Sequence, residues 1–348
     1  MENKIEYLIG KEQDFYYFLD GITKKDKVAI ISHIDLDGIS SAIFFNEILK
    51  SKGIKLKDVI FINYGAGMFI KPAEKFKKKK ITKIFISDIS EESDYVNFEK
   101  LKNEFDVFLI DHHPSELRTK ENVLKTKSEH CAAWIIYNLA IKLISMEKWK
   151  NLVSATMIAE FSHVNEDNFN FLKNNFPDLT KENLMDSEPG KFSIKINSAI
   201  TYFKGKEKKI FDFILKNKFE KFDKYSKIVS DIITNEVENF KKNAEFYPEK
   251  NLCFYYGNPR FSLTSSVTTI LSMREPDKTF IFISDVFGEK DFVKISSRNQ
   301  SGNVDLNALM KKGIVGLENA TAGGHIKASG GKFLKKDLEK FKQNILNN

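Results

Sequence analysis

The sequence predicts an α/β protein in two parts. An N-terminal domain over 1–190 is built on a parallel sheet, a helical linker covers 191–247, and a smaller α/β domain occupies 248–348. Three observations carry this prediction. Apolar runs at 27–32, 59–63, 84–87 and 107–110 alternate with stretches of helical periodicity, as in a parallel sheet whose strands are covered on both faces. A charged stretch with Tyr225, Ile228, Val229, Ile232, Ile233, Val237 and Phe240 at helical spacing separates those runs from a second strand-rich region. At 348 residues the chain also exceeds one average domain.

Taken in order, residues 1–26 read as a helical leader with Phe15, Phe18 and Leu19 on one side. Strand 27–32 runs into His33, Asp35 and Asp37, and helix 38–52 follows with Ile39, Ala42, Ile43, Ile48 and Leu49 inward and Gly53 as its stop. Asp37 stands where this helix starts, so a capping role competes with a ligand role there. Strand 59–63 leads to Gly65 and Gly67, too few glycines for a dinucleotide fingerprint. The lysines at 77–80 read as a solvated helix end, and the acidic 91–94 opens a helix at its positive end. Strand 84–87 ends in Asp88. Strand 107–110 delivers Asp111, His112 and His113 before Pro114 stops it.

Beyond Pro114, helices are expected over 129–146 and 149–162, with His130 packed at the core, then loops around short helices at 165–190. In the second domain, strands are expected at 251–256, 279–284 and 292–297 and helices near 263–274 and 304–312. Two stretches there carry chemistry. One is a strand ending Ser296-Ser297-Arg298; the other is Gly323-Gly324-His325, whose glycines let backbone amides approach an anion. A glycine-rich hairpin is the bland alternative.

Hydrophobic content of 42% is ample for real cores, and no run of eighteen apolar residues is present. The first residues lack a signal-peptide pattern, and Cys131 and Cys253 are far apart without metal-ligand spacing, so a reducing cytoplasm is the expected home. A net charge of +7 is mild and proves no nucleic-acid partner by itself.

Three strands ending in His or Asp place a carboxylate and imidazole set at the carboxyl edge of one sheet, where ligands bind in open α/β folds. That donor set suits a hydrolytic metal centre. The pattern resembles the DHH phosphoesterase superfamily. His33-x-Asp35-x-Asp37-Gly38 corresponds to its first motif, Asp88 to its second, and Asp111-His112-His113 to its third. The fourth motif puts an acid after a small-apolar helical segment; 151–160 matches that context but supplies Glu160 where most relatives carry Asp, leaving His163 and Asp167 as fallback ligands. Ser296, Arg298, Gly323, Gly324 and His325 resemble the substrate-binding patterns of the DHH-associated domain. Four of the six histidines fall on these motifs.

The resemblance implies two manganese ions, with magnesium as the other candidate: one held by His33, Asp35 and Asp88, the second by Asp37, Asp88, His112 and Glu160, with Asp88 bridging. It further implies catalytic roles for His113 beside the phosphate and Asp111 as orienter of an imidazole, with Arg298 and His325 clamping the phosphate from the second domain. The first motif looks most like that of RecJ-like nucleases, so the expected activity is exonucleolytic cleavage of single-stranded DNA or RNA from an end. The competing readings are a nanoRNase or small-nucleotide phosphatase, for dinucleotides or adenosine bisphosphate, and a catalytically weakened subunit of a nucleic-acid complex. Expected partners are single-stranded nucleic acid or short oligonucleotides, with a second copy of the chain or a protein of a nucleic-acid-processing complex as further candidates, and no membrane.

Overall fold

The computed structural model describes residues 5–347 except 115 and 117. The chain forms two compact units, Met1–Ser226 and Lys227–Asn348. The first contains, in order, β1 (Tyr7–Ile9), α1 (Glu12–Asp20), β2 (Val28–His33), α2 (Leu36–Ser51), β3 (Asp58–Ile62), α3 (Ile70–Lys79), β4 (Lys83–Ser87), α4 (Tyr95–Glu104), β5 (Asp106–Asp111), β6 (Val123–Thr126), α5 (Ala132–Ile141), α6 (Lys150–Ala159), α7 (Glu166–Asn175), α8 (Glu188–Tyr202) and α9 (Lys208–Leu215). Helix α10 (Glu220–Asn243) contains the boundary, so α8 and α9, within the stretch read as linker, pack with the first unit.

Six strands order as β1-β6-β5-β4-β2-β3, all parallel except β1, which pairs antiparallel with β6. The strands split their apolar residues between two cores by the period-2 rule. Val28, Ile30, Phe85, Phe108 and Ile110 face a core with α1, α2, α5 and α6, while Ala29, Ile31, Ile84, Ile86, Val107 and Leu109 face a second with α3 and α4. This two-sided burial explains why the strands read as continuous apolar runs. Phe108 is fully buried, its ring 5.6 Å from Phe15 and 6.5 Å from Phe85, and each such side chain contributes about 1.5–3 kcal/mol.

One expectation needs correction, and one strand was not expected. The leader is not wholly helical: Tyr7–Ile9 is a strand that extends the sheet, α1 follows, and residues 1–4 lie outside the described residues. Strand β6 was not expected; its Val123-Leu124 is too short a run to announce itself, and its pairing with β5 defines it. The acidic 91–94 does lead into a helix, as a 3-10 turn, Glu91–Asp94, directly ahead of α4, with Glu91 buried.

The second unit adds β7 (Glu245–Tyr247), β8 (Leu252–Tyr256), α11 (Thr264–Arg274), β9 (Thr279–Val286), β10 (Glu289–Arg298), α12 (Leu306–Gly313), β11 (Thr321–His325), β12 (Ala328–Leu334) and α13 (Leu338–Leu346). Its sheet runs β11-β12-β10-β9-β8-β7, with only β8 and β9 parallel. The chain is thus mixed α/β with two six-stranded sheets.

Candidate metal centre

Strand order fixes where chemistry can sit. From β2 the chain moves outward to β3, then crosses back to β4 on the other side, so the β2/β4 boundary is the topological switch point. His33 is the last residue of β2, Asp88 follows β4, and Asp111 ends β5 with His112 and His113 after it. Parallel pairing Ser32↔Ser87 and Ser87↔Ile110 lines up these three carboxyl ends.

Two groups of potential ligands form there: His33, Asp35 and Asp88, and Asp88, His112 and His113, the donor atoms within each lying within 4.8 Å of one another. Asp88 belongs to both. His33 Nδ1 lies 2.6 Å from Asp35 Oδ2 and 3.5 Å from Asp88 Oδ2, and His112 Nε2 lies 3.3 Å from Asp88 Oδ1. Asp88 Oδ2 and both ring nitrogens of His112 are buried without a hydrogen-bond partner. Buried polar groups are ordinarily satisfied, so these aimed, orphaned donors fit a bound cation. Asp88 also has φ +58°, a left-handed conformation rare for a residue with a Cβ and enriched at functional sites.

The two carboxylates of the first motif differ in duty. Asp35, not Asp37, caps α2, accepting a bond from the Gly38 amide at 3.0 Å. Asp37 lies fully buried in the first turn and accepts the amides of Ala132 and Ala133, each at 2.7 Å, so it caps α5 instead of its own helix. Its Oδ2 remains 3.7 Å from His112 Nε2. Gly38 is required sterically, because a Cβ there would fall 2.2 Å from the His33 carbonyl oxygen.

Electrostatics describes a site short of positive charge. Burial, then repulsion from Asp88, pushes the Asp37 carboxyl well above its usual value; burial and the charge of Asp35 do the same to Asp88. Glu160, which closes α6, is pushed up to about 8 by burial and by Asp37 and Asp35. Burial works against the charged form of His33, but the bonds and charges of Asp35 and Asp88 raise it to about 10. A divalent cation bound there would supply the missing charge. Glu160 stands outside both three-residue groups but within electrostatic reach of them. His163 and Asp167 likewise belong to neither, and His130 is buried against Asn168, 3.2 Å away.

Behind His113, the expected Asp111 is joined by residues that sequence reasoning missed, Lys125, Glu91 and Tyr64. Asp111 Oδ1 lies 2.8 Å from His113 Nδ1, and Asp111 Oδ2 is 2.9 Å from Lys125 Nζ. Lys125 is fully buried on β6, directly opposite Asp111 in the ladder, with Glu91 Oε2 3.5 Å away. Burial opposes ionisation of Asp111, yet the His113 bond and the Lys125 charge hold its carboxyl below the usual range. Tyr64 brings its hydroxyl 3.0 Å from His113 Nε2 and 3.3 Å from the Asp88 carbonyl. The signal for Lys125 was a lysine inside a short apolar strand, which alone reads as solvent-facing.

In the second unit, register gathers the two motifs. Ala328 pairs with Arg298 on one side and His325 on the other; Gly330 pairs with Ser296 and Gly323. Directly opposed residues share a sheet face, so Ser296, Arg298, Gly323 and His325 do too, while Gly324 lies on the other. The glycine-rich stretch is therefore a hairpin. Arg298 donates to Thr269 Oγ1, the Ser297 carbonyl and Ser265 Oγ, and no carboxylate pairs with it among the described residues. Ser296 is buried, its hydroxyl 3.0 Å from Thr268 Oγ1, whereas His325 is exposed.

Residues 27–162 match the model of the DHH family, N-terminal domain. No curated protein matches the sequence. Among solved structures, RecJ in complex with Mn2+ from Thermus thermophilus is similar with a TM-score of 0.74 at 13% identity, covering 99% of this chain and 55% of that one. This chain therefore spans little more than half of that protein. A structure of exonuclease RecJ bound to manganese gives 0.71 at 13% identity, covering 96% and 92%. An exopolyphosphatase-related protein from Bacteroides fragilis gives 0.54 at 16%, covering 97% and 96%. At such identities the likeness is one of fold.

Proposed function

We propose that this chain, with residues 27–162 matching the DHH family and a RecJ-like fold, is a metal-dependent phosphodiesterase that shortens single-stranded DNA or RNA from an end, with manganese as its preferred ion. The observation that carries this reading is Asp88, a buried carboxylate whose Oδ2 has no hydrogen-bond partner, shared by two three-residue ligand groups. His33, Asp35 and Asp88 would hold one ion, and Asp88 and His112 a second, with Asp37 and Glu160 completing its set. Two such ions would supply an activated water and stabilise the attacking and leaving oxygens. His113 is kept in place by Asp111 and Tyr64, half-exposed beside Asp88, where it can donate a hydrogen bond or proton to a phosphate oxygen. Arg298, a guanidinium whose partners among the described residues are neutral groups, is suited to an anionic phosphate, with His325 on the same sheet face across the intervening Ala328.

The test is a gel with end-labelled single strands of two to thirty nucleotides, with manganese, with magnesium and with a chelator. Laddering from one end that requires the ion and disappears in Asp88→Asn is expected. Activity confined to dinucleotides would move the protein to the small-substrate reading. Activity that survives chelation, or persists in Asp88→Asn at wild-type metal content, would refute the centre.

A further inference from the structure

Phe161 stands where glycine is the least strained choice. It follows Glu160, the residue that closes α6, with φ +56° and ψ +18°. Helices that end in this left-handed geometry usually place glycine there, because a Cβ crowds the backbone and a bulky residue is a true outlier. Burial does not offset the strain, since Phe161 is 70% exposed. Its nearest ring neighbour is His163, 5.9 Å away between centroids.

The surroundings determine this turn and place it at the metal-centre edge. Thr156 Oγ1 on α6 meets Ser40 Oγ on α2 at 2.8 Å. Ser162 Oγ accepts the Cys131 amide at 2.9 Å, and the next two amides, of Ala132 and Ala133, are those that Asp37 grips. Phe161 is thus held between Glu160, a proposed ligand, and Ser162, which is tied to the helix start that Asp37 caps. A strained aromatic that is 70% exposed buries little apolar surface to offset its strain, and strain of this kind gathers at functional positions.

We propose that Phe161 is a base-stacking platform, taking one nucleobase of a single strand whose phosphate is at the metal centre. This rests on the phosphodiesterase reading and adds the nucleobase to what the site recognises, since a polyphosphate or other base-free ester offers nothing to an aromatic face. Every base has a π-face, so the platform tolerates any sequence.

The test compares wild type, Phe161→Tyr and Phe161→Gly on oligonucleotides that are intact or carry one abasic residue among the first three positions at the attacked end. Wild type and Phe161→Tyr should prefer intact strands on the order of 5- to 150-fold in kcat/KM, the range of one lost stack. Phe161→Gly should treat intact and abasic strands alike, keep wild-type metal content and melt no lower than wild type, because glycine relieves the turn. A preference retained in Phe161→Gly would overturn the proposal. So would a loss of several degrees in Tm, which would make the ring a structural support. Anisotropy of the same labelled strands with calcium reads binding apart from turnover. If nothing is cleaved, a wild-type binding preference that Phe161→Gly loses supports the platform while sinking the catalytic reading; equal binding overturns the platform.

Discussion

Replacing Lys125 with Met keeps the length of the side chain and deletes its charge. Lys125, Asp111 and Glu91 are all buried, the ammonium 2.9 Å from one carboxylate and 3.5 Å from the other. The variant leaves two carboxylates in the interior without a cation, and breaking a buried pair in this way costs about 3–5 kcal/mol. For a unit of this size each kcal/mol lowers Tm by about 2–4 °C, so the expected loss at pH 7.5 is about 6–20 °C. The pH dependence has a definite sign. Asp111 is depressed in the wild type, so its stabilisation is present above the unfolded carboxylate value and lost as pH falls through the lower folded one. Glu91 is raised, chiefly by burial against the lowering charge of Lys125, and favours folding with a proton bound. Without Lys125 both carboxyls move upward, and protons replace the missing cation as pH falls. The Tm gap between Lys125→Met and wild type should therefore narrow from pH 7.5 to pH 5.5. A gap under about 2 °C at pH 7.5, or one that stays constant with pH, would refute the ion cluster as a stabilising unit.

If Glu160 belongs to the second ion's proposed set, Glu160→Ala should weaken manganese-dependent hydrolysis by roughly 10- to 100-fold and shift the manganese titration to higher concentration; superimposable titrations would remove Glu160 from the centre. Arg298→Ala and His325→Ala should raise KM or lower kcat while metal content, read by elemental analysis, stays at the wild-type level. Full activity in both would remove the second unit's motif face from phosphate binding.

How far the sequence reveals this molecule depends on whether a residue's neighbours lie along the chain or across it. Apolar runs that stop at His33, Asp88 and Asp111 announce both the strands and the carboxyl edge they end on, because parallel strands have one polarity and buried strands have one composition. The roles of Asp35 and Asp37 were not separable, since the residue that Asp37 caps is 95 positions away and only α2 against α5 packing brings it near. Lys125 and Glu91 were invisible for the same reason: each reads as surface charge until β6 is set beside β5. The second-unit motifs were visible one by one, but their common face depends on the register through Ala328 and Gly330, which no local pattern encodes.

The grip of Asp37 on the first turn of α5 has a consequence for anyone dissecting the centre by mutagenesis. One carboxylate faces His112 and also fastens a helix start to α2, so chemistry and docking are not independent variables at this position. An inactive Asp37 substitution is ambiguous on activity alone. Amide hydrogen exchange at Ala132 and Ala133 separates the two losses: protected amides mean a missing ligand, and fast exchange means a frayed helix that has carried the neighbouring turn, with Ser162 and Phe161, away from its place. The same coupling would make the entry of α5 a sensor of a bound ion, since a cation drawing on Asp37 would compete with those two amides for its electron density.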